Sequence, residues 1–87
     1  MSTATTPDQD SIRENLTEFL RRRTKNDIAV DVDLFAAGLV SSLFALELVV
    51  HLESTFALAV PPEELKLDNF RTVTAMTDLV VRLRGQQ

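Results

Sequence analysis

Eighty-seven residues carrying a net charge of −4, with no cysteine, tryptophan or tyrosine, exclude several classes of protein at once. A chain this short forms one domain near the lower size limit for a core that stands alone, and without cysteine neither disulfides nor thiolate metal sites reinforce it. An apolar share of 45% and only two glycines favour a compact helical domain over disorder, and the lack of Trp and Tyr removes an aromatic platform for nucleic-acid bases.

Residues 1–9 read as a flexible leader, small and polar through Pro7. A first helix is expected from Asp10 to Arg23, where Ile12, Leu16, Phe19 and Leu20 recur on one stripe. Asp10 or Ser11 can cap it, with Glu14 three residues after Ser11. From Thr24 to Ser41 the periodicity breaks around Asp31, Asp33 and Gly38, giving a loop long enough to be functional. Its apolar residues should plug it into the core, with Leu34 and Phe35 as anchors. A second helix is expected from Ser42 to Thr55, with Ser41 as N-cap. Leu48, Val49, Leu52 and Phe56 form its core stripe, and Leu43, Leu46 and Val50 a second, partly exposed one. Pro61-Pro62 ends what precedes and opens a short helix through Glu63, Glu64 and Leu65. After a turn at Asp68-Asn69-Phe70, with Phe70 inward, a last helix starts at Thr72 or Thr74 and runs to Arg84, carrying Val73, Met76, Val80 and Leu83 inward and stopping at Gly85. Residues 85–87 form a tail. The fold expected is all-α: a small antiparallel four-helix bundle, three helices longer and one short, with a long loop between the first two.

The charge is uneven. Between Asp27 and Asn69 stand eight acids and one base, Lys66, while arginines gather at Arg21 to Arg23 and at Arg82 and Arg84. An acidic middle disfavours nucleic acid and anionic membrane and favours basic partner surfaces. No segment has the roughly 18–20 apolar residues that span a bilayer, and none resembles a signal peptide, so the expected location is the cytoplasm. The single histidine, His51, lacks a nucleophile at useful spacing and reads as a surface or interhelix residue. Glu63-Glu64 reads as a solvated first turn. No catalytic or metal-binding set emerges, so the chain is not expected to be an enzyme.

The most informative stretch is Asp33-Leu34-Phe35-Ala36-Ala37-Gly38-Leu39-Val40-Ser41-Ser42-Leu43. A turn ends in a serine that opens an apolar helix, and unpaired N–H groups with the helix dipole favour a phosphate there. Together with Glu53-Ser54-Thr55-Phe56, Pro61-Pro62-Glu63-Glu64 and Asp68-Asn69-Phe70-Arg71-Thr72-Val73, it resembles the acyl carrier protein family from Ile12 to Leu83. That resemblance implies a carrier domain over residues 10–84 and a covalent 4′-phosphopantetheine arm on Ser42. The departure is Ser41, where the family most often has Asp. Counting from Gly38 and from the following helix places Ser42, not Ser41, in register.

The resemblance further implies a monomeric, non-catalytic carrier whose arm holds an acyl group as a thioester. Its partners would be a phosphopantetheinyl transferase, an acyl-loading enzyme (acyltransferase or adenylating ligase), and downstream synthase or tailoring enzymes. The expected partner surface comprises Val40, Ser41, Leu43, Phe44, Glu47, Val50 and Glu53. With few acids on the second helix, docking there should rest more on apolar contact through Leu43, Phe44 and Val50. The turn around Ser42 is more like small freestanding carriers of polyketide and related secondary metabolism, bearing unusual extender or starter units. The alternatives are an aminoacyl or peptidyl carrier of nonribosomal type, a fatty-acid carrier, and an unmodified helical interaction module.

Overall fold

In a computed structural model the described residues are 9–85. They form α1 (Gln9–Thr24), α2 (Ser42–Phe56), two 3₁₀ turns (Pro62–Glu64 and Leu67–Phe70) and α3 (Val73–Gly85), with no strand among them. The protein is all-helical as its periodicity predicts. Most of the expected leader, and residues 86–87 of the expected tail, lie outside the described residues; Gln9 and Gly85 are the end residues of α1 and α3.

α1 buries Ile12, Leu16 and Leu20, the residues its 3.6-residue period selects. Asp10 and Ser11 lie inside its first turn instead of ahead of it, where Asp10 complements the dipole and pairs with Arg13 at 2.7 Å. α3 buries Val73, Met76, Leu79, Val80 and Leu83 and packs against α1. Thr72 caps it, its hydroxyl accepting from Ala75 N at 2.9 Å. The one buried polar side chain among the core residues, Thr77, donates its hydroxyl to Val73 O at 2.8 Å, so its burial leaves nothing unpaired. In α2 the core residues are Ala45, Leu48, Leu52 and Phe56, with Val49 half-buried beside them.

The expected short helix after Pro61 is a 3₁₀ turn, Pro62–Glu64, and the expected turn at Asp68-Asn69-Phe70 is a second one, Leu67–Phe70. Pro61 and Pro62 carry no N–H to extend an α-helical ladder, and Lys66 between the turns is extended. Asn69 joins the turns, its Nδ2 donating to Glu64 O at 2.7 Å. The second turn buries Phe70 and contacts both α2 and α3.

The long connection between α1 and α2 is pinned at Leu34. Its side chain is fully buried, its N–H donates to Arg71 O at 2.7 Å, and its carbonyl accepts from Leu39 N and Val40 N at 2.9 and 3.1 Å. Asp33 Oδ1 accepts from Phe35 N and Ala36 N, folding the turn before Gly38, whose φ of +75° is the left-handed conformation glycine tolerates. These bonds, with Arg71 beside them, hold the Asp33 carboxyl below the usual carboxylate range. Further along, Thr74 N donates to Val30 O at 3.1 Å, tying the loop to the start of α3. The loop's exit, and with it the first turn of α2, is therefore fixed by the core.

α2 ends at Ala57, which is left-handed with φ 55° and returns its N–H to Glu53 O; Arg84 Nη1 donates to Phe56 O. An alanine in that conformation is strained by its Cβ. Ala57→Gly is therefore expected to raise stability by roughly 0.5–1 kcal/mol, read by urea unfolding.

Candidate functional site

Ser42 is the first residue of α2 and is exposed. Its neighbour Ser41 sits outside the helix (φ −97°, ψ 169°), and its Oγ accepts from Phe44 N at 3.1 Å. The two serines thus divide the work. Ser41 is spent on capping, while the Ser42 hydroxyl has no hydrogen bond among the described residues and stands where the dipole's positive end favours an anion.

A groove of about 150 Å³ begins at Ser42. Ala45, Leu46 and Val49 of α2 line it together with Leu65, Lys66, Leu67 and Phe70. Leu65 and Leu67 are about half exposed, which folding alone does not require. An exposed, unbonded hydroxyl beside a groove lined by apolar residues and one lysine fits the attachment of a phosphate-linked arm.

The remaining α2 residues form a second surface. Leu43, Leu46 and Val50 are 73%, 60% and 63% exposed, a patch beginning one residue from Ser42. The charges of α2 are taken up internally. Glu47 pairs with Arg23, whose guanidinium also lies over the Phe44 ring at 4.8 Å. Glu53 Oε2 accepts from Val60 N at 2.9 Å, so it braces the chain after α2.

Of the expected partner surface, Ser41, Leu43, Glu47 and Val50 are exposed, and Phe44 is half-buried under Arg23. Val40 is a correction: it is 4% exposed, packed in the core with its N–H on Leu34 O. Glu53 is half-buried and engaged. Sequence reasoning did not place Lys66, Leu65 or Leu67 beside Ser42. Two leucines flanking a lysine after a proline turn, with no helical stripe to absorb them, were the available signal.

His51 bridges α1 and α2. Its Nε2 donates to Asn15 Oδ1 at 2.8 Å, Thr55 Oγ1 stands 3.3 Å from Nδ1, and the ring stacks on Phe19 at 3.9 Å. Burial, and then the nearby Arg22 charge, push its pKa below the ordinary imidazole value. The unfolded chain therefore binds the proton first as pH falls. The stability contributed by neutral His51 is full above about pH 6.5 and is lost as pH drops toward the folded-state value. His51→Gln is expected to flatten that part of the stability–pH curve, measured by urea unfolding between about pH 5 and 8.

Among the described residues no cluster of three or more His, Cys, Asp or Glu could hold a metal ion, and no helix is long and apolar enough to cross a membrane. Residues 10–80 match the family described as "Phosphopantetheine attachment site". The chain is also 41% identical over 76 residues to D-alanyl carrier proteins of Streptococcus pyogenes, among them those of serotype M5 (strain Manfredo), serotype M49 (strain NZ131) and serotype M1. Each alignment covers 85% of this chain and 96% of the relative.

Proposed function

We infer that Ser42 is the attachment point of the arm, from the premise that this chain belongs to the phosphopantetheine attachment site family. The protein is a carrier that holds 4′-phosphopantetheine covalently and catalyses no reaction itself. It works with a phosphopantetheinyl transferase and with enzymes that load and remove its cargo. When bound, the arm supplies a terminal thiol that holds an acyl group as a thioester. The chain's own residues present and constrain that arm. Ser42 Oγ loses its proton and bonds to the arm's phosphorus as the pyrophosphate bond of coenzyme A breaks and adenosine 3′,5′-bisphosphate leaves, and Ser41 fixes the helix start so that the hydroxyl stays outward. The carrier raises the effective concentration of its cargo at each partner's site.

The observation carrying Ser42 is the division between the serines: one is bonded as a cap, the other exposed and unbonded. The cargo we propose is a small aminoacyl group, loaded by an adenylating ligase. The names of the D-alanyl carrier relatives support this. The polyketide extender unit expected from the Val40 to Ala45 turn finds no counterpart in those relatives.

The test is loading of the arm-bearing protein in parallel reactions. One holds D-alanine, ATP and a D-alanine-activating ligase; the other holds a malonyl-type donor with an acyltransferase. A D-alanyl thioester, seen by intact mass and released by hydroxylamine, is expected in the first. Loading only in the second would replace the aminoacyl reading with the extender-unit one.

A further inference from the structure

We propose that Lys66 is a positioning residue for the arm, its ammonium pairing with the phosphodiester on Ser42 so that the arm rests in the groove beside α2. This rests on Ser42 as the attachment point. Lys66 is the single base between Asp27 and Asn69, a stretch holding eight acids. Arg13, Arg21, Arg22, Arg23, Arg71 and Arg82 each pair with a carboxylate, whereas Lys66, like Lys25, makes no ion pair among the described residues and its charge acts only weakly on Glu64, which Arg82 holds. The acids closest to it in sequence on either side that are engaged, Glu64 and Asp68, are held by Arg82 and Arg71.

The backbone of Lys66 is fixed, and its side chain is exposed. Its N–H donates to Glu64 O at 2.8 Å and its carbonyl accepts from Asn69 N at 3.0 Å. Lys66 lines the same groove as Ser42. Attachment of the arm makes Ser42 Oγ a bridging ester oxygen and sets a permanent negative charge on the phosphate's non-bridging oxygens, beside a groove whose one lining cation is Lys66. The channel's other lining residues, Leu46, Val49, Leu65 and Leu67, offer apolar contact to the methyl and methylene groups that follow the phosphate. Exposed pairs of this kind shift an equilibrium by roughly two- to five-fold.

The experiment compares ¹⁵N-labelled wild type, Lys66→Arg, Lys66→Gln and Lys66→Glu, each before and after modification, with one arm on Ser42 verified by mass. It reads the amide shifts of Leu46, Val49, Leu65 and Leu67 on modification, and the rate at which the arm's thiol reacts with an uncharged alkylating reagent. Wild type and Lys66→Arg are expected to show groove shifts and slow alkylation. Lys66→Glu should lose those shifts and react roughly two- to five-fold faster, with Lys66→Gln between. Groove shifts and rates unchanged in both Lys66→Gln and Lys66→Glu would overturn the role of Lys66 alone. A folded wild type that takes no arm on Ser42 would overturn the attachment reading, and this inference with it.

Discussion

Ser42→Ala is expected to accept no phosphopantetheine while keeping wild-type stability, and Ser41→Ala is expected to do the reverse. The hydroxyl of Ser42 is exposed and makes no internal bond, so its loss should change stability by no more than about 0.5 kcal/mol. The hydroxyl of Ser41 accepts from Phe44 N, so replacing it removes an N-cap and costs about 1 kcal/mol. Transferase, coenzyme A and intact mass report the first property, and urea unfolding reports the second. Crossed outcomes make the pair informative: a protein that only unfolds more easily, or only loses modification, identifies which serine it has lost. Modification of Ser42→Ala and its loss in Ser41→Ala would move the site by one residue.

Leu34→Ala is expected to lower stability by about 3 kcal/mol, within the range of roughly 2–5 for emptying a fully buried leucine site. For a domain of this size, with a stability of order 5–10 kcal/mol, that is a large fraction of the total. Leu34 matters beyond its volume because its backbone binds Arg71, Leu39 and Val40, so it joins the loop to the start of α3 and to the approach to Ser42. Phe35, which is only half-buried, is expected to cost less when truncated. The comparison is made by denaturant unfolding, with transferase modification of the folded fraction as a second reading. Equal losses at Leu34 and Phe35 would mean that the loop is not pinned where its burial indicates.

The helices were legible because their cores follow a single period: Ile12, Leu16 and Leu20 in α1, and Val73, Met76, Val80 and Leu83 in α3, are buried as spacing predicts. Leu34 was legible as a plug because an apolar residue among turn formers has few other uses. The short helix after Pro61 was legible in place but not in kind: it is a 3₁₀ turn, a distinction that periodicity does not encode. Val40 was misplaced because nearness to Ser42 in sequence suggested exposure, whereas the bond to the Leu34 carbonyl turns it into the core. Glu47 and Glu53 read as partner-surface acids; Glu47 is exposed but paired with Arg23, and Glu53 is half-buried on Val60 N, partners that lie on other parts of the chain. Lys66 stood out only as the one base of the acidic middle. Its significance lies in sharing a groove with a serine 24 positions away, and only the fold brings the two together.

The most direct test of the central claim is fragmentation mass spectrometry of the intact wild-type protein after modification, read for the residue that bears the added mass. A single phosphopantetheine is predicted, with fragments ending at Ser41 unmodified and those extending through Ser42 carrying the full increment. An increment already present on fragments ending at Ser41, or no addition to the folded protein with its cognate transferase, would contradict the account.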